Sequence, residues 1–231
     1  MRPAAMLLGL LSFLLWSTAA EAANSCKRPS GAKLVTSTRT ASVYAKTVAD
    51  PRAPQTASAS KVRYWGCARS VGVARRLVDT EPVGDGVSTT ATRFRLGGRF
   101  VAFVVTSVDH YGGRQASVTV LDLGGRRGRR TTSVGDGQVG GPGGPERPLV
   151  VRALKVSSSG VVAWVVRSNL SYFGPEVDRL GTFARGMSQR VLETSAPGAL
   201  THVVLQDRIL RWVSGGASRH TALSPFWLTE H

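Results

Sequence analysis

Four arginines lie within five consecutive positions and form the densest group of side chains that could do chemistry: Arg126, Arg127, Arg129 and Arg130. A guanidinium presents a planar fork of N–H donors that fits the oxygens of a phosphate or a carboxylate. The run therefore predicts an anion-binding hairpin. The alternative is a solvated turn between two strands. Aromatic side chains interleaved with these charges would favour nucleic acid. None is interleaved here, so no specific nucleic-acid binding is predicted.

Acid–base or nucleophilic chemistry has weaker candidates. Asp109-His110-Tyr111 is the one local set with a titratable imidazole beside a carboxylate, and the alternative is a polar hairpin turn. Residues 186–190 begin like a nucleophile elbow but end in Arg190 where the closing glycine belongs, which indicates a turn. The sequence contains no zinc-protease, P-loop, dinucleotide-binding or EF-hand motif. It predicts no catalytic residue, no cofactor and no metal ligand.

The first 22 residues have the pattern of a secretory leader. Arg2 is followed by an apolar run of about 13 residues and then by small residues, with Ala20 and Ala22 in the A-x-A positions of a cleavage site. We expect residues 1–22 to be a signal peptide and the mature chain to begin at Ala23. The run is too short for a comfortable membrane span, which needs about 20 residues. The alternatives are an uncleaved anchor and a lipid on Cys26, although a good lipobox is missing.

The chain has two cysteines, Cys26 and Cys67. In an oxidising compartment two cysteines usually pair, so export predicts a disulfide between them. Closing a loop of about 40 residues would stabilise the fold by roughly 4 kcal/mol. The alternatives are two separate thiols or a metal pair. Neither cysteine has a histidine or aspartate close by in the sequence, and a zinc site needs four ligands.

The composition is that of a basic globular protein. The 231 residues include 30 Lys and Arg against 14 Asp and Glu, for a net charge of +16. Such a charge attracts an exported chain to anionic headgroups, wall polymers or nucleic acid, although 25 arginines against 5 lysines are also typical of a GC-rich genome. We expect a single domain over residues 23–231. The alternative is two halves, 23–134 and 149–231, around a Gly- and Pro-rich loop at 135–148.

A repeat organises the mature chain. An apolar strand with a central aromatic residue recurs at spacings of 59, 61 and 48 residues, at Tyr44, Phe103, Trp164 and Trp212. A short strand and a tight turn precede each of these strands, as in the strand expected from Arg93 to Leu96 before Gly97-Gly98. A third strand follows, most clearly at 62–67, 117–123 and 176–180, and in three copies a fourth, at 75–78, 130–134 and 190–193. This order predicts an all-β fold of about four propeller-like blades. A β-sandwich or a partial open propeller is the alternative, because the fourth copy lacks an outer strand unless residues 224–231 supply it.

Two segments resemble known proteins. Residues 118–125, VTVLDLGG, resemble the third-strand hairpin of TolB-type and YVTN-type propellers. The segment that starts at Cys26-Lys27-Arg28-Pro29 and ends at Trp65-Gly66-Cys67 is similar to small exported actinobacterial proteins that carry a few such blades and have no assigned role. The resemblance extends over most of residues 26–224. It implies a propeller-like fold and brings no active-site residue with it.

These features predict an exported, non-catalytic β module that binds a partner through its blade loops, outside the cell or at its surface. The partner would be a protein or an anionic polymer of the cell envelope, and the mature chain would have no transmembrane span. Two alternatives remain open. One is a secreted hydrolase, because its paired acidic residues need not be neighbours in sequence. The other is a structural protein that associates with itself through sheet edges.

Overall fold

The computed structural model describes residues 25–50, 60–84, 87–125, 130–138, 149–169, 174–184 and 188–223. Within these ranges the chain consists of antiparallel strands and their connections, which confirms the predicted all-β class. The same ranges contain no helix that is long and apolar enough to cross a membrane. The predicted signal peptide lies outside the described residues.

The described strands form four consecutive meanders, three of four strands and one of three. The first meander contains β1 (Lys33–Ser37), β2 (Ala41–Ala49), β3 (Ser60–Ala68) and β4 (Arg75–Gly84). The second contains β5 (Val87–Gly97), β6 (Phe100–Val108), β7 (Gly113–Asp122) and β8 (Arg130–Gln138). The third contains β9 (Val150–Val156), β10 (Val162–Asn169), β11 (Glu176–Phe183) and β12 (Arg190–Ser195). The fourth contains β13 (Leu200–Gln206), β14 (Ile209–Ser214) and β15 (Ala217–Ala222).

Hydrogen bonds connect the strands in the order in which they occur along the chain. Because β4 also pairs with β5, the first two meanders form one eight-stranded sheet, while the third and fourth form sheets of four and three strands. The first strands of the meanders are neighbours, since β5 lies against β1 and β9, and β9 lies against β13. The arrangement is consistent with the predicted propeller-like blades and with an open packing of sheets.

The second strands of the two central meanders bury both of their faces. On β6, the even-numbered residues from Phe100 to Val104 enter one core cluster, and the odd-numbered Val101 and Phe103 enter another. Residues 161–166, at the start of β10, alternate in the same way between two clusters. Strands that are covered on both faces read as continuous apolar runs. This explains why the two runs stand out in the sequence.

Each of these clusters joins two consecutive meanders. One contains Leu77 of the first meander and Phe103 of the second, the next contains Val118 and Trp164, and the third contains Leu180 and Trp212. The four aligned aromatic residues of the predicted repeat are buried on the second strands of their meanders: Tyr44, Phe103, Trp164 and Trp212. Face-to-face packing of successive meanders therefore builds the core.

Two predicted boundaries are wrong. The strand that we expected to start at Arg93 begins at Val87, because its first part pairs with β4 at the far end of the meander. The loop expected at 135–148 starts later, since residues 135–138 extend β8. A Cβ at position 135 would lie 2.9 Å from Leu149 Cδ1, so the glycine allows β8 to run close to the Leu149 side chain. Meanders on both sides of this loop share one core cluster.

The N-terminal segment, residues 25–32, packs on the outer face of the first meander. The predicted disulfide is present, with 5.9 Å between the Cα atoms of Cys26 and Cys67. Adjacent residues of a strand point to opposite faces, and a Cβ on Gly66 would contact Leu77 in the inner core, so Cys67 faces outward. There it clusters with the partner cysteine and with Ala32, Tyr44 and Trp65. The disulfide therefore holds a cover over the face that points away from the second meander.

Substitution of Trp164 tests the packing between the second and third meanders. We expect Trp164→Ala to lower the free energy of unfolding by about 3–5 kcal/mol, because a large buried side chain is lost and a cavity remains. Urea denaturation followed by circular dichroism measures the change. Tyr111→Ala is the control, because that ring is 80% exposed and its loss should change stability by less than about 0.5 kcal/mol. Equal effects of the two variants would contradict the assignment of the core.

Removal of the disulfide tests the cover on the first meander. The bond spans 41 residues, so the double variant Cys26→Ser, Cys67→Ser should lose about 4 kcal/mol of stability by the chain-entropy relation. The emission of Trp65 should shift to longer wavelength as the segment detaches. A reducing agent should produce both changes in the wild type and neither in the double variant. A wild type that is insensitive to reduction would refute this role of the bond.

Candidate anion-binding cleft

Seven connections lie at the same end of the meanders, because antiparallel strands alternate in direction: β1–β2, β3–β4, β5–β6, β7–β8, β9–β10, β11–β12 and β13–β14. Arginines occur in or beside most of these connections, and we call this surface the arginine end: Arg39, Arg69, Arg75, Arg99, Arg130, Arg190 and Arg208. The strand ladders thus bring together residues that are far apart in the sequence.

Consecutive turns at the arginine end contact one another directly. Thr40 Oγ1 donates a hydrogen bond of 2.6 Å to the Gly98 carbonyl, which links the β1–β2 and β5–β6 connections. Ser158 Oγ donates a hydrogen bond of 3.2 Å to Asp207, which links the β9–β10 and β13–β14 connections. Between them, a Cβ at Gly97 would lie 2.5 Å from the Ser157 carbonyl oxygen. Only a glycine allows the two backbones to approach so closely. The two hydrogen bonds and this close contact hold the turns in fixed positions.

An open cleft of about 730 Å³ lies among these turns. The described residues that line it come from the β1–β2, β3–β4, β5–β6 and β9–β10 connections, and they are Arg39, Thr40, Arg69, Ser70, Arg99, Phe100, Ser158 and Ser159. Three guanidinium groups and four hydroxyl groups therefore face one space. None of these lining residues bears a carboxylate or an imidazole.

Arg99 is fixed on one wall of the cleft by two interactions. Its Nη2 lies 2.9 Å from Oδ2 of Asp122, whose side chain is 1% exposed. The Asp122 carboxylate also accepts the backbone N–H groups of Gly124 and Gly125, at 2.9 and 3.2 Å. The Arg99 guanidinium lies 5.6 Å from the centroid of the Phe100 ring, within the range of a cation–π contact. Its charge is therefore largely balanced by Asp122.

The charges of Arg39 and Arg69 are not balanced in this way. Neither side chain makes an ion pair or hydrogen bond with another described residue. The Nε atom of Arg69 is buried and lacks an acceptor, while its backbone N–H donates to the Thr40 carbonyl at 2.8 Å. Arg39 is exposed. The cleft thus has two arginines whose charges are unpaired among the described residues.

Of the predicted arginine run, Arg130 alone is described, and it lies at the arginine end. Arg126, Arg127 and Arg129 lie outside the described residues, in the connection from β7 to β8. Arg130 is the first residue of β8, is exposed and pairs with Val120 in the ladder. The sequence analysis did not identify Arg39, Arg69 and Arg99 as site residues. The available signal was an arginine in each of three strand connections that share one end.

The Asp109-His110-Tyr111 set forms a turn at the opposite end of the second meander. Oδ1 of Asp109 accepts the backbone N–H groups of Tyr111 and Gly113, at 2.9 and 2.8 Å. The His110 and Tyr111 rings contact each other with 3.7 Å between their centroids. The carboxylate is thus used to hold the backbone of the hairpin, as the turn interpretation predicted. In the other weak motif, Gly186 and Met187 lie outside the described residues.

Asp178 is a buried carboxylate that is paired within the third meander. Its oxygens lie 2.9 Å from Nε of Arg167 and 3.2 Å from Nη1 of Arg152, and one of them accepts the Gly198 N–H at 2.6 Å. Burial alone would raise the pKa of Asp178. The hydrogen bonds from Arg167 and Gly198 outweigh burial, so the pKa lies below its ordinary value. Asp178 is therefore an anion that stabilises the fold.

Asp79 and Glu193 follow the same pattern. Burial opposes ionisation of Asp79, but hydrogen bonds from Arg63 and Arg76 lower its pKa. Burial also opposes ionisation of Glu193, and its pKa is lowered by hydrogen bonds, first from Ser214 and then from the Trp212 indole N–H at 2.5 Å. A general acid of a hydrolase needs a raised pKa. All three shifts have the opposite direction.

The described ranges contain no group of three or more His, Cys, Asp or Glu side chains that could hold a metal ion. A scan against protein-family models matches no family, and searches of curated proteins and of solved structures find no similar protein. The geometry of the cleft is therefore the basis for any functional assignment.

The paired carboxylates predict how stability depends on pH. A lowered folded-state pKa means that the stabilisation by Asp178 is complete above its ordinary pKa of 3.8 and is lost as the pH falls through the lower folded-state value. We expect Asp178→Asn to reduce stability at pH 7 by about 1–3 kcal/mol, because Gly198 and two arginines lose an anionic acceptor. The loss of stability below about pH 4 should then be shallower than in the wild type.

Thermal unfolding between pH 7 and pH 2 measures both effects. Glu176→Gln is the control, because Glu176 is exposed at the start of β11 and should keep the wild-type pH profile. Identical profiles for Asp178→Asn and the wild type would show that the pairing does not stabilise the fold.

Proposed function

We propose that this protein is an exported, non-catalytic, propeller-like β module that binds an anionic polymer of the cell envelope through its arginine end. The observation that carries the proposal is that arginines gather at this end with few carboxylates among them. At the arginine end the described acidic residues are Asp122, which is paired with Arg99, and Asp207. Carboxylates are more frequent in and beside the connections of the opposite end: Asp50, Glu81, Asp109 and Glu176.

A surface of this kind suits a repetitive anionic partner. Exposed arginines from several connections, among them Arg39, Arg130 and Arg208, share one end of a rigid array of sheets. Arginine forms paired hydrogen bonds with phosphate and carboxylate, and the release of counterions makes such binding sensitive to salt. Rigid strand ladders below the connections keep the charges in place, as scaffolds do for binding loops. Recognition of a polymer with repeated charges needs no catalytic group.

Export is supported by two observations. The Cys26–Cys67 disulfide closes in the structure, and structural disulfides are typical of oxidising compartments outside the cytosol. The leader-like pattern of residues 1–22 predicts the route. A positively charged module released outside the membrane would meet the anionic polymers of the envelope first.

Retention on purified cell envelope tests the proposal. The variant Arg130→Gln, Arg208→Gln removes two charges from the arginine end, and Lys33→Gln, Arg219→Gln removes two charges from strands away from it. We expect wild-type binding to fall with salt. The first variant should bind more weakly and reduce the slope of log K against log salt by roughly one unit per lost contact. The control variant should keep most of the wild-type affinity.

Sedimentation of the envelope at low and high ionic strength gives the bound fraction. Retention of the wild type that does not change with salt would overturn the electrostatic mechanism. Equal losses in both double variants would assign binding to net charge and not to the arginine end. A heavier species in light scattering, together with no retention, would favour self-association through sheet edges instead.

A further inference from the structure

The cleft has an excess of positive charge that a single bound anion would neutralise. Arg39 and Arg69 are unpaired, and the charge of Arg99 is offset by Asp122 at 2.9 Å. The lining therefore has a net charge of about +2 at neutral pH, since arginines remain protonated. We propose that the cleft is a discrete binding site for a doubly charged tetrahedral oxyanion, namely a phosphate monoester group. The proposal rests on the proposed function, because such a group would be a terminal or pendant phosphate of the anionic polymer, or part of a fragment of it.

Arg69 is a half-buried arginine of the lining, and its guanidinium has no acceptor among the described residues. Arg69 follows the buried Ala68 at the end of β3, and its backbone N–H is bonded to Thr40. The side chain therefore starts from a fixed position between the first two meanders. A phosphate in the cleft would accept the other N–H groups of this guanidinium, because the Nε atom itself is buried.

Hydroxyl groups supply the remaining donors of a phosphate site. Thr40 Oγ1 and Ser158 Oγ are already used to link neighbouring turns. Ser159 Oγ lies 2.8 Å from Ser157 Oγ, and Ser70 is exposed on the lining. Ser70 and Ser159 are thus placed to donate to an anion, beside two guanidinium forks. Two described carboxylates adjoin the lining: Asp122 is buried and paired with Arg99, and Asp207 is exposed and accepts the hydrogen bond from Ser158.

The size of the cleft indicates that more than a free ion would enter. Its volume of about 730 Å³ falls in the range of about 300–1,000 Å³ that is usual for small-molecule sites. A phosphate between Arg39 and Arg69 would leave space for the sugar or glycerol unit to which it is attached. The Phe100 side chain, whose ring centroid is 5.6 Å from the Arg99 guanidinium, also belongs to the lining but is largely buried in the core.

The site depends on the packing of the first three meanders. Arg39 and Arg69 come from the first, Arg99 and Phe100 from the second, and Ser159 from the third. A ligand that contacts all three meanders binds the folded protein and not the unfolded chain, and it must therefore raise the thermal stability. Stabilisation is thus a direct measure of occupancy, independent of any polymer.

Thermal unfolding and titration calorimetry of the mature chain with its disulfide test the site. The probes are inorganic phosphate and glycerol 3-phosphate, each against sodium chloride at the same ionic strength. We expect both phosphates to raise the unfolding temperature in a saturable way, and glycerol 3-phosphate to bind at least as tightly as phosphate. Arg39→Gln and Arg69→Gln should each weaken binding at least about tenfold, the loss expected for a charge-assisted hydrogen bond.

Arg208→Gln is the matched control, because Arg208 belongs to the arginine end but is not among the residues that line the cleft. It should weaken retention on envelope and leave phosphate binding unchanged. Arg39 is exposed, so its variant should fold normally and keeps the test valid if Arg69→Gln is unstable. Phosphate effects equal to those of chloride, or equal losses in Arg39→Gln and Arg208→Gln, would overturn the site.

The two proposals fail in different ways. Envelope retention that depends on the arginine end, together with no specific phosphate effect, would overturn the cleft site and leave the proposed function in place. Specific phosphate binding without envelope retention would overturn the polymer-binding function and assign the site to a small soluble phosphate ester. Competition of glycerol 3-phosphate with envelope would support both and identify the polymer-borne phosphate as the source of the ligand.

Discussion

The packing of consecutive meanders against each other is the constraint on which the rest of the structure depends. Alternate side chains of β6 and β10 enter the core clusters on the two sides of their sheets, and each cluster is completed by the next meander along the chain. This arrangement keeps the seven connections of the arginine end close together. The contacts between Thr40 and Gly98, and between Ser158 and Asp207, follow from it. The cleft is therefore a consequence of how the core is built.

A linear array of sheets must also protect its two outer faces. At the first meander the disulfide holds residues 25–32 over an apolar face that includes Tyr44 and Trp65. The outer face of the fourth meander has polar side chains along its whole length. Among them are Arg211 of β14 and His220 of β15, which are paired across the two strands. Polar terminal repeats are the usual way in which arrays remain soluble without a further neighbour. One end is thus covered and the other is polar.

The described charged residues form two groups: carboxylates that are paired within the meanders, and arginines that have no carboxylate partner. The carboxylates of Asp79, Asp178 and Glu193 are taken up by arginines, hydroxyls and backbone N–H groups within the meanders. Because the chain has about twice as many basic as acidic residues, many arginines have no such partner. At the arginine end two of them, Arg39 and Arg69, lie together in the cleft. Composition gives only the total excess of positive charge, and the structure shows that part of this excess lies in the cleft.

The sequence by itself determined the class, the strand order and the disulfide. Period-two burial and turn residues are local signals, so the repeated aromatic strands and the outer strands were predicted close to their observed places. Boundaries set by a neighbouring strand, as at Val87 and Gly135, were not predicted. The cleft depended on tertiary structure, because Arg39, Arg69 and Arg99 are about 30 residues apart and no local pattern joins them. Strand pairing within the first meander brings Arg39 and Arg69 together, and the packing of the second meander on the first adds Arg99. That packing is fixed by long-range apolar contacts, which short-range periodicity does not reveal.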